Sequence, residues 1–349
     1  MPEASIPIEG KNIALVGGAG FIGHHLALRL NELGAHVTIV DSLSVNNYYS
    51  LKQVAGTNWD TELYLRMIEQ RRRLLTDHGV PLIEQDARDY NALSQIMDTL
   101  RPQVIVHLAA VAHANKSNKD PFSTFDHSLR TLENMLDIAR SEGSQVEHFI
   151  YLSSSMVYGQ FPSGGVNEET PCKPLGIYGA LKFAGEKLVI AHNQVFDLPY
   201  TIVRPSALYG ERCVSRRVIQ LFIEHAMRGE RVTVNGDGSD RLDFTYIEDL
   251  VQGLVRCIEK KKARGQIFNL TYGASRSISD VVDILNAQFP ELDVTHKEKD
   301  QLTPDRGTLE IDKARVLLDY QPHNPIEVAV PKYVDWYCSS FRKEEFVAP

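Results

Sequence analysis

The sequence has little cysteine and no long apolar run, and both absences restrict what it can encode. The four cysteines, at positions 172, 213, 257 and 338, are too far apart to form the close pairs of a zinc or redox motif. We therefore expect reduced thiols, no disulfide framework and no metal centre. No stretch approaches the ~20 apolar residues of a membrane span, so a membrane protein is not expected either.

Positive charge is also in short supply. The chain has 37 Lys and Arg against 45 Asp and Glu, a formal net charge of −8, which gives no general attraction to nucleic acid or to an anionic membrane. The N-terminal segment MPEASIPIEGK lacks the basic and apolar regions of a signal peptide. The expectation is a cytoplasmic protein without a nucleic-acid or membrane partner.

What the sequence does contain is a regular alternation of short apolar runs with longer helix-like segments. Its 349 residues are 43% hydrophobic and 23% charged, which suits one large or two medium folded domains. Strands alternating with helices predict a Rossmann-type, doubly wound parallel α/β sheet. The predicted strands are 13–16, 36–40, 81–84, 103–110, 148–155 and 199–205, and the run 265–270 is interpreted as a return to the sheet.

The alternation weakens after residue 205, which predicts two domains. We assign residues 1–205 and 241–272 to a nucleotide-binding Rossmann domain, and residues 206–240 and 273–349 to a smaller α/β lobe that binds the substrate. Residues 46–80 exceed what one crossover needs and are interpreted as an insertion with a helix at 59–75. Its run Arg71–Arg73 is interpreted as a solvated face, with a phosphate or partner contact as the alternative.

A glycine-rich turn follows the first predicted strand. Gly17 and Gly20 let the backbone approach a pyrophosphate at the N-terminus of a helix, and Gly23 permits close helix–strand packing. Asp41 ends the second strand, where a carboxylate accepts the ribose hydroxyls and repels the extra phosphate of NADP. No arginine follows it in SLSVNN, so the pattern predicts NAD as cofactor, with Phe21 and Ile22 of the same turn in the site.

A second group of residues follows the fifth predicted strand. Tyr178 and Lys182 lie four residues apart, so a helix presents them on one face, and a Lys ammonium beside a Tyr favours the phenolate form that acts as a base. The run Ser153–Ser155 ends the strand before them, at the sheet edge where ligands bind. Capping of a turn is the alternative role for these serines.

Together these motifs resemble the extended short-chain dehydrogenases/reductases, and within them the NAD-dependent nucleotide-sugar epimerase/dehydratase family that includes the UDP-glucose 4-epimerases. The resemblance covers about residues 11–320. The residues that carry it are VGGAGFIG, Asp41, HLAA (107–110), LSSSMVYG (152–159), YGALK (178–182), RPSALYGER (204–212) and NGDGSDRLDFTYIEDL (235–250).

The resemblance implies a reaction through a transient 4-keto sugar. Tyr178 would remove the proton of a sugar hydroxyl as hydride passes to bound NAD, Ser154 would hydrogen-bond the same oxygen, and Lys182 would hold the nicotinamide ribose. It also places Leu108 and Ala109 against the cofactor. Asp86 and Ala87, after the third strand, are candidates for the adenine edge, although Asp86 also fits an exposed loop position.

The residues after Ser154 favour epimerisation within this family. Family dehydratases carry Asp-Glu there as acid and base, whereas this chain has Ser155 and Met156, which do not exchange protons near neutral pH. The expected activity is therefore C4 epimerisation of a nucleotide-diphosphate hexose or uronate. The alternatives are a 4,6-dehydratase or decarboxylase, with Glu168, Glu169 or Cys172 as substitute groups, and a non-catalytic NAD-sensing protein.

Departures from the family pattern concern the sugar pocket. Ala207 and Ser128 stand where relatives often have Asn, and we place Ser155 and Ala207 in the substrate site. Arg241 and Arg306 are candidates for the diphosphate, with a surface salt bridge as the alternative for each. Relatives are commonly dimers through the helix carrying Tyr178 and the segment near 120–140, so a homodimer is expected.

Overall fold

The structure, a computed structural model, describes residues 5–44, 48–54, 59–111, 114–299 and 304–341. The strands in these ranges are β1 (Asn12–Val16), β2 (His36–Asp41), β3 (Leu82–Glu84), β4 (Val104–His107), β5 (His148–Leu152), β6 (Tyr200–Arg204), β7 (Leu208–Tyr209), β8 (Val232–Asn235), β9 (Arg241–Leu242), β10 (Thr245–Tyr246), β11 (Gln266–Asn269), β12 (Arg276–Ser277) and β13 (Val294–Lys297).

The α-helices in the same ranges are α1 (Phe21–Glu32), α2 (Tyr48–Gln53), α3 (Trp59–Asp77), α4 (Tyr90–Leu100), α5 (Ala114–Lys119), α6 (Pro121–Phe125), α7 (Thr131–Ala139), α8 (Gly176–Phe196), α9 (Val218–Arg228), α10 (Ile247–Glu259), α11 (Ile278–Gln288), α12 (Asp312–Leu318) and α13 (Ile326–Ser340). A π-helical turn, Asp126–Arg130, joins α6 to α7.

A seven-stranded parallel sheet organises the molecule. Its strand order is β3-β2-β1-β4-β5-β6-β11, and each strand runs parallel to its neighbours. The predicted doubly wound fold is confirmed, and β11 beside β6 confirms that the run 265–270 returns to the sheet. The order reverses between β1 and β4, and the crevice at the carboxyl ends of these strands is where such sheets bind ligands.

The turn between β1 and α1 fits closely against β4. A Cβ atom on Gly17 would lie 2.5 Å from the backbone nitrogen of Ala109, and Gly17 has a φ of +79°. A Cβ atom on Gly23 would lie 2.3 Å from the carbonyl oxygen of Gly18. Both contacts are shorter than side chains tolerate, so glycine is required at these positions for the turn to pack where the crevice begins.

The insertion adds a helix to the hydrophobic core. The predicted helix is confirmed as α3, whose buried face includes Met67, Ile68 and Arg71. The interpretation of Arg71 as part of a solvated face is wrong. Arg71 lies three and four residues after the two apolar residues, so helical geometry turns it inward, and its Nε donates to the Arg212 carbonyl oxygen at 3.0 Å.

The polypeptide after β6 forms small sheets beyond the carboxyl ends of the central strands. Strand β8 pairs in parallel with β13, β9 pairs antiparallel with β12, and β7 pairs in parallel with β10. These elements supply the second wall of the crevice. Within the described ranges, no helix is both long and apolar enough to cross a membrane.

We expect truncation of the buried face of α3 to destabilise the fold. Met67→Ala removes a side chain with 0% exposure and should cost about 2–5 kcal/mol in the free energy of unfolding, because a cavity replaces its packing. The matched control Glu69→Ala, at an exposed position of the same helix, should change that free energy by no more than about 0.5 kcal/mol. Urea unfolding followed by circular dichroism measures the free energy of unfolding of both variants. A loss for Met67→Ala no larger than about 0.5 kcal/mol would show that α3 is not part of the core.

Candidate active site

A cavity of about 690 Å³ lies at the carboxyl ends of the sheet, between the central strands and the elements after β6. It brings together every residue that the sequence assigned to the site. Those lining residues are Gly17, Gly20, Phe21, Ile22, Gly23, Asp41, Asp86, Ala87, Leu108, Ala109, Ser154, Ser155, Tyr178, Lys182, Ala207, Arg241 and Arg306. Their individual roles remain predictions.

The glycine-rich end of the cavity suits a dinucleotide. Helix α1 begins after Gly20, and no side chain caps its first N–H groups. The residues of this first turn line the cavity, which therefore meets the positive end of the helix dipole. An anionic pyrophosphate satisfies both features. The residues present therefore fit the phosphate portion of NAD.

Asp41 closes the same end of the cavity. Its Oδ2 accepts from the Ala19 N–H at 2.9 Å and its Oδ1 from the Leu43 N–H at 2.7 Å, which fixes the carboxylate at the end of β2. Burial raises the pKa of Asp41, while those two hydrogen bonds oppose the rise. The positive charge of Arg71, reaching this region from the insertion, also opposes it. Arg71 does not line the cavity, so it is not placed to bind an added ribose phosphate, and repulsion of that phosphate by Asp41 stays a prediction.

Asp86 lines the cavity and is half-buried rather than free in solvent. Its carboxylate accepts from the Arg88 guanidinium at 2.6–3.0 Å, and this pairing lowers the pKa of Asp86. His127 and Thr131 also line the cavity, whereas Ser128, which stands where relatives often have Asn, is buried beside them and does not. The π-helical turn decides which of these side chains faces the cavity, and periodicity in the sequence carries no signal for such a turn.

Tyr178 and Lys182 occupy consecutive turns of the same face of α8, as predicted. Lys182 is 5% exposed, and its Nζ donates to the Leu152 carbonyl oxygen at 2.6 Å, which anchors it under the end of β5. Burial lowers the pKa of Lys182 to about 8, against an opposing effect of Glu186. Tyr178 is half-buried and lines the cavity, where a base has access to substrate.

Ser154 combines the two roles that the sequence left open. Its Oγ accepts from the Met156 N–H at 3.2 Å and so caps the short helical turn Ser155–Tyr158, yet the residue also lines the cavity. Its neighbour Ser155 donates its N–H to the Pro205 carbonyl oxygen at 2.9 Å. The loop is therefore held from both sides, and the Ser154 hydroxyl keeps a donor for a ligand.

The far end of the cavity is positively charged. Arg306 donates to the Ser155 Oγ at 3.3 Å and contacts Met156, and burial together with the nearby charge of Arg217 lowers the pKa of Arg306 to about 10. Among the described residues no carboxylate forms a salt bridge with Arg217 or Arg306. Arg241 donates to Ser275. Sequence reasoning missed Arg217, because an arginine pair before a charged helix resembles an ordinary solvated surface.

No acid–base carboxylate pair adjoins Ser154 among the residues that the structure describes. Glu168, Glu169 and Cys172 do not line the cavity, and the Glu168 carboxylate accepts from the Asn269 N–H at 2.8 Å. The lining acid of the second lobe, Asp240, is paired with Lys299 at 2.6 Å. The described ranges also hold no group of three or more His, Cys, Asp or Glu placed to bind a metal.

A doubly wound sheet with a glycine-rich turn, an acidic end to β2 and a Ser, Tyr and Lys at one cavity defines an NAD-binding protein of the short-chain dehydrogenase/reductase class. The chain belongs to the NAD dependent epimerase/dehydratase family, whose model matches residues 13–271.

Known epimerases resemble it over more than three quarters of their length. UDP-glucuronate 4-epimerase 1 of Arabidopsis thaliana is 28% identical, over 95% of this chain and 78% of that protein. The structure of a UDP-glucuronic acid 4-epimerase from Bacillus cereus, with UDP-glucuronic acid and NAD, has a TM-score of 0.81 and 25% identity, over 94% of this chain and 99% of its own. A UDP-glucose 4-epimerase from Thermotoga maritima has the same TM-score of 0.81 at 24% identity, which shows the shared fold.

These comparisons confirm the predicted family, the Rossmann-type fold, NAD as the cofactor and an NAD-dependent enzyme of the epimerase type.

We expect Asp41 to set the preference for NAD over NADP. The wild-type protein should bind NAD at least ~10-fold more tightly, and Asp41→Ala should narrow that ratio by removing the charge that repels the added phosphate. Because burial raises the pKa of Asp41, the preference should also weaken as the pH falls and the carboxylate takes up a proton. Calorimetry with both cofactors at two pH values measures these effects; equal affinities at neutral pH would contradict the assignment.

Proposed function

We propose that the protein catalyses C4 epimerisation of a UDP-sugar through a transient 4-keto intermediate. The observation that carries the proposal is a cavity with Ser154, Tyr178 and Lys182 at its catalytic end and, among the described residues, no carboxylate pair beside them. Dehydration of a 4-keto sugar needs an acid and a base next to the intermediate, whereas epimerisation does not. The similarity to UDP-sugar 4-epimerases supports the same conclusion.

Each of the three residues has a distinct task in this proposal. Tyr178, as phenolate, accepts the proton of the sugar 4-hydroxyl, and Ser154 donates a hydrogen bond to the same oxygen. The buried ammonium of Lys182 favours the phenolate electrostatically. Bound NAD would supply the hydride acceptor for C4 and the hydride donor for the return step. Tyr178 then gives the proton back to the oxygen, so the enzyme ends in its starting state.

Inversion at C4 exposes the opposite face of the keto sugar, so the sugar must turn in the cavity while its nucleotide stays bound. The groups that hold the nucleotide must therefore lie away from Tyr178. We assign this task to the cavity wall that the elements after β6 form, where Arg241 and the side chains of Phe222, Phe244 and Asn235 line the cavity.

Within the UDP-sugars, we propose that a uronate is preferred to a neutral hexose. Arg306 contacts the loop that carries Ser154, and Arg217 is close enough to lower its pKa, yet no described carboxylate forms a salt bridge with either guanidinium. Two unpaired cations in a partly buried cavity are stabilised by an anionic ligand. A C6 carboxylate lies next to C4 on the sugar, and it brings negative charge to this end of the cavity.

The remaining assignments are extensions of the same proposal. We assign residues 1–205 and 241–272 to cofactor binding and residues 206–240 and 273–349 to substrate binding; of these, residues 1–4, 45–47, 55–58, 112–113, 300–303 and 342–349 lie outside the described ranges. A homodimer through α8 and the segment 120–140 is proposed, supported by the exposed Phe122 and Phe125 on α6. We also propose a cytoplasmic location.

Tyr178→Phe should lower kcat by about 10²–10⁴-fold, because it removes the base and keeps the packing of the ring. Bound NAD and the melting temperature should remain close to wild type. Tyr90→Phe, which alters an exposed tyrosine on α4 that donates to Asp137, is the matched control and should leave kcat unchanged. Retention of more than about a tenth of the wild-type rate by Tyr178→Phe would show that another group takes the proton.

Turnover in D₂O separates epimerisation from its alternatives. UDP-glucuronate, UDP-glucose and UDP-N-acetylglucosamine are incubated separately with the enzyme and followed by NMR and mass spectrometry. We expect a C4 epimer of unchanged mass without carbon-bound deuterium, formed fastest from UDP-glucuronate. Loss of water with deuterium at C5 would identify a dehydratase, and loss of CO₂ a decarboxylase. If UDP-glucose or UDP-N-acetylglucosamine reacted faster than UDP-glucuronate, the proposed preference for a uronate would be wrong, but the proposed epimerisation would not be affected.

A further inference from the structure

A buried ion pair lies at the face of α8 that carries Tyr178 and Lys182, one helical turn beyond the lysine. Glu186 is 1% exposed and Arg204, at the end of β6, is 2% exposed. The guanidinium binds the carboxylate through two hydrogen bonds, Nε to Oε1 at 2.9 Å and Nη2 to Oε2 at 2.7 Å. Burial opposes the charged form of Arg204, but the Glu186 carboxylate raises its pKa above the ordinary value. The Arg204 guanidinium is therefore charged in the interior.

Glu186 also contacts the backbone segment that holds the catalytic residues. The Ser153 Oγ donates to Glu186 Oε1 at 2.5 Å, and Ser153 lies between Leu152, whose carbonyl accepts from Lys182, and the cavity residue Ser154. Glu186 itself is one helical turn beyond Lys182 on α8. One carboxylate thus reaches both the end of β5 and the neighbourhood of the lysine.

The groups around Lys182 leave Glu186 as its source of compensating negative charge. Tyr178 precedes it on α8, the Tyr151 ring on β5 lies 5.1 Å from its Nζ, and His107 on β4 faces it. Burial lowers the pKa of His107 to about 3, so that ring is neutral near pH 7. Burial lowers the pKa of Lys182, and among the described residues Glu186 is the carboxylate that opposes this lowering.

A purely structural role explains this arrangement poorly. A buried ion pair seldom stabilises a fold more than apolar residues of similar volume, because each charge loses its hydration. Here the acid lies one helical turn from a lysine whose charge the proposed reaction uses. The negative charge of the Glu186 carboxylate, rather than its packing, therefore explains why the residue is there.

We propose that Glu186 is a positioning residue that keeps the Lys182 ammonium charged beneath Tyr178, and that Arg204 limits the strength of this effect by binding the same carboxylate. The proposal rests on the proposed function for its kinetic consequence, but not for the charge state of Lys182. Removal of Glu186 should make Lys182 lose its proton at lower pH, and removal of Arg204 should make it do so at higher pH.

The test measures Lys182 directly in the NAD-bound enzyme. Protein labelled with ¹³Cε-lysine is titrated by NMR, and the Lys182 resonance is assigned by its absence from Lys182→Met. Glu186→Gln should move the titration to lower pH by about one unit or more, and Arg204→Met should move it in the opposite direction. Glu186→Asp, which keeps the charge, should restore most of the wild-type titration. This readout does not need turnover, so it separates the proposal from the proposed activity.

The alkaline limb of kcat/KM for UDP-glucuronate should move in the same directions as the Lys182 titration, because activity falls as Lys182 loses its proton. Should either single variant fail to fold, the double variant Glu186→Gln/Arg204→Met, which removes both buried charges, decides the matter. In the double variant Lys182 should titrate at lower pH than in the wild type, because Glu186, one helical turn away, has the larger effect on the lysine. The proposal would be overturned if Lys182 titrated as in the wild type in Glu186→Gln or in the double variant. It would also be overturned if the two single variants shifted the Lys182 titration in the same direction.

Discussion

The reversal of strand order between β1 and β4 is the constraint on which the site depends. Because all seven strands of the central sheet are parallel, their carboxyl ends meet at one edge, and the reversal opens a crevice there. The close fit of the Gly17 turn against the Ala109 backbone sets the depth of that crevice. The loop after β5 and the start of α8 then reach the same cavity.

Charge is distributed unevenly along this cavity. The Asp41 end carries a buried carboxylate next to a helix N-terminus, an arrangement that suits a ribose and a pyrophosphate. The opposite end carries Arg217 and Arg306, whose mutual repulsion a bound anion relieves. Between them, Lys182 remains buried within reach of Tyr178. A long ligand with anionic groups at separate points matches this sequence of charges better than a compact neutral one.

The polar network behind the cavity links the catalytic segment to the second lobe. The Tyr158 hydroxyl donates to Asn269 Oδ1 at 2.8 Å and receives a hydrogen bond from Arg204 at 2.9 Å. Asn269 in turn donates to the Glu310 carbonyl oxygen at 3.1 Å, four residues after Arg306. The ion pair at Arg204 thus has partners on both sides of the cavity, and the position of the second-lobe segment is tied to the end of β6.

The sequence by itself determined the features that depend on local periodicity and on motif spacing. Buried parallel strands are short continuous apolar runs, so the sheet, the glycine turn, Asp41 and the Tyr178–Lys182 face were all predictable. Arg71, Arg217 and Glu186 were not, because a charged side chain looks solvated in a sequence whatever its neighbours. Only the tertiary structure decided that Arg71 is buried against the Arg212 carbonyl, that Arg217 is near enough to affect Arg306, and that Glu186 pairs with Arg204. The physical reason is that burial and pairing of a charge depend on residues distant in the chain, here up to 141 positions away for Arg71 and the Arg212 carbonyl.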